Sequence, residues 1–225
     1  MNGVVTTLSL ALNALFSAFL AAFWLQRVKI FRGILHTIDT SAAVSFFDAY
    51  PVAPGDVVFL GDSITAGGQW SELFPDVPVK NRGISGDMTE DLLKRLGQIT
   101  IGKPRKIFLM IGTNDIGLGA PRALTQRNYR EILDQIVRAS PDTDIYVQSI
   151  LPREAKRCED VTALNAAIAE MAQTRGLTYV DLFPAFVDED GSILDELSPD
   201  GLHLSGQGYR RWQSAIEPYV LEQMA

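Results

Sequence analysis

Short apolar segments alternate with longer amphipathic segments over residues 56–225. The apolar segments are typical of buried strands, and five are clear, at residues 56–60, 77–81, 105–111, 144–150 and 177–182. Residues 124–140 and 159–176 have the apolar spacing of amphipathic helices. Strands that are apolar on both faces and alternate with helices predict a parallel sheet covered by helices on both sides. We therefore expect an α/β fold.

The N-terminal part of the chain has a different pattern. Residues 4–25 are almost continuously apolar, and as a helix they would be about 33 Å long, which matches the hydrocarbon thickness of a bilayer. Trp24 stands at the end of this run, where an interfacial anchor is expected. We predict a single-pass transmembrane helix. A cleaved signal peptide is less well supported, since no basic residue precedes the run, and a buried globular helix is rarely apolar on every side.

Two features of this predicted anchor suggest how it is arranged. Its polar residues share one helical face, which predicts a homo-oligomer formed through that face. These residues are Thr6, Ser9, Asn13 and Ser17. The basic residues after the apolar run predict that the rest of the chain lies on the cytoplasmic side of the membrane. They are Arg27, Lys29 and Arg32.

The patterns divide the chain into three segments. Residues 1–35 form the predicted anchor with its basic flank, residues 36–55 a connecting segment, and residues 56–225 the α/β domain. Within the connecting segment, residues 40–50 favour a short helix that Pro51 stops.

Composition and charge narrow the classes of function. The net charge is −7, whereas a nucleic-acid-binding protein needs a basic face, so no nucleic-acid partner is expected. The single cysteine, Cys158, rules out an intramolecular disulfide and a cysteine-cluster zinc site. With 225 residues, 47% of them hydrophobic, the chain is large enough to bury a substantial core.

Four polar, glycine-bearing loops lie beyond strands of the predicted sheet. Their sequences are GDSIT, RGISGDMT, GTND and SPDGLHLS. In open parallel sheets, ligands bind at the carboxyl ends of the strands. We therefore expect these loops to meet at one edge of the sheet and to form a site there.

Ser63, in the first of these loops, is a candidate nucleophile. A serine needs a base, and His203 suits this role because Asp200 can hold its Nδ1–H and leave Nε2 free. The only other histidine, His36, lies beside the predicted anchor. Taken separately, Ser63 also fits a helix N-cap, and DGLH a turn with a surface imidazole. Ser85 is a rival nucleophile, but nothing places it at a helix start facing His203.

Acyl transfer also requires donors for the tetrahedral oxyanion. Asn114 has a side-chain NH₂ that can point into the site. Gly86 can offer its backbone N–H, and its missing Cβ lets a substrate approach closely. The alternatives are an Asx-turn for Asn114 and a plain turn for Gly86.

The motifs GDS, GISGD, GTND and DGLH together resemble, in the same order, the four sequence blocks of the SGNH (GDSL-type) hydrolase family. Within it, VVFLGDSIT and LPR are most similar to the platelet-activating-factor acetylhydrolase catalytic subunit and related bacterial acetyl-esterases. The resemblance implies a three-layer α/β/α fold with a five-stranded parallel sheet, and a serine esterase without metal or other cofactor. It also implies that Ser63 is the nucleophile and His203 the base paired with Asp200. The implied oxyanion donors are the Ser63 amide, Gly86 and Asn114.

The substrate is less well defined by the sequence. Trp70, Leu73 and Phe74 follow Ser63 at near-helical spacing and are candidates for an apolar acyl pocket, although such a set more often belongs to the core. Together with an anchor, the family suggests lysophospholipid-like esters or short-chain acyl and acetyl esters. An acyltransferase or a sugar O-acetylesterase would use the same residues.

Two further classes of function compete with an esterase. A metal-dependent phosphoesterase would use carboxylate and imidazole ligands. The candidate ligands are Asp62, Asp87, Asp115, Asp200 and His203. A non-catalytic membrane scaffold with a hydrolase-like fold would need none of the active groups, and the presence of a complete set argues against it.

Overall fold

A computed structural model describes residues 16–17, 23, 36–38 and 40–222. The chain divides into two compact units, residues 1–42 and 43–225. In the first unit, every described residue is helical. The second unit begins with helical residues 43–49 and contains the sheet and the candidate site. The segment boundaries expected at residues 35 and 55 stay predictions.

One five-stranded parallel sheet lies at the centre of the second unit. Its strands are β1 (Val57–Gly61), β2 (Val79–Gly83), β3 (Lys106–Met110), β4 (Asp144–Gln148) and β5 (Thr178–Val180). They are arranged in the order β2-β1-β3-β4-β5, and each pair is parallel. Every residue of β1 and β3 is buried, which explains why these segments are apolar almost throughout.

Helices connect the strands and follow the last one. They are α1 (Ser63–Ala66), α2 (Trp70–Leu73), α3 (Thr89–Arg95), α4 (Gly97–Thr100), α5 (Thr113–Leu118), α6 (Arg122–Ala139), α7 (Cys158–Gln173) and α8 (Gly206–Leu221). Short 3₁₀ turns lie at Ala155–Arg157, Phe183–Ala185 and Asp195–Leu197.

The sheet separates two hydrophobic cores. On one face, Val58 and Leu60 of β1 pack with α3, α4, α6 and α7. On the other face, Phe59 packs with α1, α2 and α8, and its ring stacks on Trp70 with 3.8 Å between centroids. Successive side chains of a strand point to opposite faces, so one apolar strand contributes to both cores. The expected three-layer α/β/α fold is confirmed.

The strand order reverses direction between β1 and β3. The chain leaves β1 for β2 on one side, and it leaves β3 for β4 on the other. In open α/β sheets, the crevice beyond such a switch point is where ligands bind. The loops that lead to Ser63 and Asn114 leave β1 and β3 at this point.

Each strand predicted from the sequence overlaps an observed one, and the helices predicted at 124–140 and 159–176 are α6 and α7. One of the differences is at β5, which ends at Val180 instead of residue 182. There the N–H groups of Leu182 and Phe183 donate to the buried Ser149 hydroxyl, at 2.8 and 2.9 Å, and no longer to a neighbouring strand.

The prediction of a transmembrane helix at residues 4–25 is corrected. An apolar run is only one requirement for a span, because a continuous helix of about 20 residues is also needed. Among the described residues, no helix is both long and apolar enough to cross a bilayer. Of the run itself only residues 16, 17 and 23 are described. The basic flank, and Thr6, Ser9 and Asn13 of the expected oligomer face, lie outside the described residues. The membrane localisation is not retained.

Candidate active site

Ser63 is the first residue of α1, directly beyond the carboxyl end of β1. Asp62 is the N-cap of this helix, and its carboxylate accepts a hydrogen bond from the Ile64 N–H at 3.0 Å. The N-cap of α1 is therefore Asp62 and not Ser63, which was the alternative role considered for Ser63. The Ser63 hydroxyl is not used for capping. Among the hydrogen bonds of the described residues, none uses the Ser63 N–H.

His203 lies in the loop before α8 and reaches across to α1. Its Nε2 is 3.0 Å from the Ser63 Oγ, and its Nδ1 is 2.7 Å from Oδ2 of Asp200. The other oxygen of Asp200 accepts the backbone N–H groups of Leu202 and His203, at 3.0 and 2.7 Å. Asp200 therefore forms the capped turn that the sequence suggested as an alternative and also orients the imidazole. The three predicted side chains form one hydrogen-bonded row.

Hydrogen bonds from the His203 side chain and from its backbone N–H lower the pKa of Asp200 to about 2. The site is open to solvent, since the side chains of His203 and Asp200 are 46% and 51% exposed. Beside it, burial raises the pKa of the fully enclosed Asp62 from its usual range to about 7, against the hydrogen bond from Ile64. The pKa of Asp200 is thus lowered, whereas the pKa of Asp62 is raised.

The two candidate oxyanion donors lie in the loops after β2 and β3. Gly86 is exposed and adopts φ +84°, a backbone conformation that favours glycine. Among the described hydrogen bonds, none uses its N–H. Asn114, in the first turn of α5, donates from Nδ2 to the Asp87 carbonyl at 2.9 Å. An amide nitrogen carries two hydrogens, so this bond fixes the side chain and leaves one N–H for a ligand.

Arg95 links the first two loops beneath the surface. Its Nε pairs with the Asp87 carboxylate at 2.7 Å, with both side chains buried, and its NH2 donates to the Gly61 carbonyl at 3.0 Å. Sequence reasoning missed this residue, because an arginine in a helical pattern gives no signal of burial. It also missed Tyr209, whose hydroxyl donates to the Ile64 carbonyl at 2.7 Å.

The residues predicted to line an acyl pocket are buried or partly buried. Trp70 and Phe74 are 2% and 3% exposed and belong to the core between the sheet and α8, and the Trp70 Nε1 donates to the Thr65 carbonyl at 2.9 Å. Leu73 packs partly buried against the same core. Their position agrees with the alternative that they belong to the core. They pack in the same cluster as Ile64 of α1.

The carboxylates considered for a metal site have other partners. Asp62 caps α1, Asp87 pairs with Arg95, and Asp115 accepts hydrogen bonds from Thr89. Each of these three carboxylates therefore has a structural contact within the fold. The arrangement that faces solvent instead offers a hydroxyl, an oriented imidazole and amide donors, which are the groups that acyl transfer requires.

A three-layer α/β/α fold with a serine–histidine–aspartate row at the switch point of its sheet defines a serine ester hydrolase. Residues 59–211 match the model of the GDSL-like Lipase/Acylhydrolase family, and the chain belongs to this family.

Similar proteins support this assignment. The chain is 31% identical over 177 residues to the platelet-activating factor acetylhydrolase IB subunit alpha2 of Rattus norvegicus, covering 74% of this chain and 76% of that protein. The structure of a platelet activating factor from Streptococcus pneumonia superposes with a TM-score of 0.79 at 30% identity, over 87% of this chain and 98% of that one. The lipase/acylhydrolase of Enterococcus faecalis gives a TM-score of 0.62 at 27% identity, over 76% and 99%.

Proposed function

We propose that this chain hydrolyses esters of short acyl groups by a two-step mechanism in which Ser63, His203 and Asp200 act together. The observation that carries the proposal is the row of contacts from the Ser63 Oγ through the imidazole to the Asp200 carboxylate, at 3.0 and 2.7 Å. The distances fit proton transfer from the hydroxyl to Nε2, with the tautomer held by Asp200.

In the first step, the Ser63 Oγ attacks the ester carbonyl carbon and His203 Nε2 takes its proton. The resulting oxyanion accepts hydrogen bonds from the Ser63 and Gly86 N–H groups and from the Asn114 side chain. His203 then returns the proton to the leaving alcohol as the C–O bond breaks. In the second step, water attacks the acyl-enzyme with His203 again as base, and the acid is released as Ser63 regains its proton.

The exposure of the site supports a variable alcohol, and the named relatives support a short acyl group. The recess between the ends of β1 and β3, lined by Asp62, Ile64 and Thr113 among others, is closed even to a water molecule, so it does not hold the acyl group. On the outer side, the half-exposed His203 and Asp200 leave space for a large leaving group. The acetylhydrolase named among the relatives is consistent with this preference.

Replacing Ser63 tests the proposal directly. We expect Ser63→Ala to lower kcat for p-nitrophenyl acetate by about 10⁴-fold or more, because no nucleophile remains. The matched control is Ser85→Ala, which removes the exposed hydroxyl of the rival serine and should retain most activity. A Ser63→Ala protein that keeps its turnover would refute the mechanism, and loss of activity in Ser85→Ala alone would transfer the nucleophile's role to that residue.

A panel of esters then defines the substrate. Acetyl, butyryl and octanoyl esters of one alcohol should show kcat/KM falling with chain length, and a maximum at octanoyl would exclude a short-acyl enzyme. Comparing kcat/KM for acetylated sugars with kcat/KM for acetylated lysophospholipid-like lipids shows which class of acetyl ester is the better substrate. Product analysis with added alcohols separates hydrolysis from acyl transfer, and the open site favours water as the acceptor.

A further inference from the structure

A buried polar cluster lies behind the proposed oxyanion donors, and the mechanism above does not use it. At its centre, the Asp115 carboxylate accepts hydrogen bonds from the Thr89 N–H at 3.0 Å and from its hydroxyl at 2.6 Å. Thr125 donates to the same carboxylate at 3.3 Å, and Asn128 Nδ2 donates to the Thr89 hydroxyl at 3.2 Å. Buried networks satisfied in this way make a structure rigid.

The cluster joins the two loops that carry the donors. Asp115 follows Asn114 in α5, and Thr89, the first residue of α3, comes three positions after Gly86. On the side of the site, the bond from Asn114 Nδ2 to the Asp87 carbonyl makes a second link between the same loops. The loop after β2 and the start of α5 are therefore connected twice, once at the surface and once in the interior.

We propose that Asp115 and Thr89 are positioning residues that hold the Gly86 N–H and the Asn114 amide at the separation that an oxyanion requires. This inference rests on the proposed function, because it concerns the donors of that mechanism. Asp115 and Thr89 are 2% and 0% exposed, so they act through the loops and not on the substrate.

The loops need such support because both donors lie beyond the ends of their strands. Gly86 lies beyond the end of β2 in an exposed segment, and α5 begins after Gly112, which adopts φ +124°. Donors stabilise an oxyanion only if they are in place before the charge develops. A displacement of about 1 Å in such groups is enough to cost on the order of 10²-fold in rate.

Thr89→Val is the main test, since it removes the hydroxyl while keeping the volume and the backbone bond to Asp115. For p-nitrophenyl acetate we expect kcat to fall about 10- to 100-fold with KM nearly unchanged. Phosphonylation by a fluorophosphonate should slow in parallel, because its phosphoryl oxygen uses the same donors. Thr89→Ser should restore most of the rate. Asp115→Asn, which leaves one acceptor oxygen for the Thr89 N–H and hydroxyl together, should lose at least as much.

Thr143→Val is the matched control. Thr143 is also a buried threonine, and its hydroxyl donates to the Pro104 carbonyl at 2.6 Å, beside the amino end of β4 and away from the site. It should lose stability but not kcat. Circular dichroism at the assay temperature shows which variants are folded. Should Thr89→Val be unfolded there, Thr125→Val replaces it, with an expected fall of about 3- to 10-fold because it removes the longer bond.

A double variant separates positioning from a general loss of structure. Asn114→Ala alone should cost roughly 10²–10³ in kcat as a lost oxyanion donor. Adding Thr89→Val to it should cost less than Thr89→Val costs in the wild type, because one of the groups being positioned is gone. Fully multiplicative losses, or an unchanged kcat in Thr89→Val, would overturn the inference. Failure of the proposed function is distinguishable, because it would appear as turnover retained in Ser63→Ala.

Discussion

The Oγ of Ser63 lies 3.0 Å from Nε2 of His203, although 140 positions separate the two residues in the chain. The fold brings them together because α1 and the loop before α8 lie at the same edge of the sheet. Tyr209 of α8 fastens the two elements by donating to the carbonyl of Ile64, the residue after the nucleophile. The contact between the candidate base and nucleophile thus depends on how α8 is docked.

The first prediction concerns pH. Because the Asp200 pKa is lowered to about 2, the stability this carboxylate contributes is present above its usual range near 3.8 and is lost only as the pH falls towards 2. Asp200 therefore stays ionised throughout the assay range. The pH profile of kcat/KM should therefore contain no acidic step that belongs to Asp200. Titration of the Asp200 carboxyl above pH 3, followed by NMR, would contradict this assignment.

Asp200→Asn tests the same row of contacts at neutral pH. The amide keeps the turn but no longer holds the correct tautomer, so kcat should fall by about 10³–10⁴. Asp195→Asn, an exposed change in the 3₁₀ turn just before, serves as the control. If both variants lose activity equally, the effect belongs to the segment and not to the pairing with His203.

Much of this arrangement was predictable from the sequence. Strand segments such as VVFLG are apolar on both faces, so their parallel pairing and the position of the loops followed from pattern alone. Ser63, His203, Asp200, Gly86 and Asn114 were selected because each supplies a group that acyl transfer needs, and the structure brings Ser63, His203 and Asp200 into one hydrogen-bonded row. Their catalytic roles stay predictions until the variants are measured.

Other parts depend on packing, which no local pattern contains. Trp70 has the spacing of a pocket residue and of a core residue alike, and only its stacking on Phe59 decides between them. The partners of Arg95 and Asp115 lie in other segments of the chain, and they come into contact only when β1, β2 and β3 are assembled in one sheet. The apolar run at residues 4–25 illustrates the opposite error, in which composition alone was taken as sufficient for a membrane span.

The second prediction concerns Asp62 and the stability of the fold. Burial raises its pKa from 3.8 to about 7, so the folded state holds a proton that the unfolded state has lost over that interval. The sign is therefore destabilising: the fold loses stability as the pH rises from about 4 to 7, by an amount on the order of 4 kcal/mol. Asp62→Asn keeps a good N-cap and removes this cost.

The expected result is a melting temperature that exceeds that of the wild type by a margin growing between pH 4 and pH 7. The margin should then level off, because the carboxylate is fully ionised in both states above that range. Asp142→Asn, which changes an exposed aspartate, gives the comparison. A margin that is the same at every pH would show that Asp62 is not held in a protonated form.

The third prediction concerns the opposite edge of the sheet, where Lys106 begins β3. Its Nζ donates to the carbonyls of Tyr219 and Glu222 at 2.5 and 2.6 Å, and the residue is 1% exposed. A cation at the carboxyl end of a helix also complements the helix dipole. Lys106→Met preserves the length of the side chain but leaves these carbonyls without their donor. We expect the free energy of unfolding to fall by about 2–4 kcal/mol.

Urea denaturation measures this loss, and Lys156→Met, an exposed change, should have little effect. The slope of the transition should be the same in both variants, since the amount of surface that unfolding exposes does not change. In the folded Lys106→Met protein, kcat should remain close to that of the wild type, because Lys106 lies at the amino end of β3 and Asn114 lies beyond its carboxyl end. A large loss of kcat without a loss of stability would mean that the contact between Lys106 and the end of α8 sets the position of Tyr209, and through Tyr209 the position of the site.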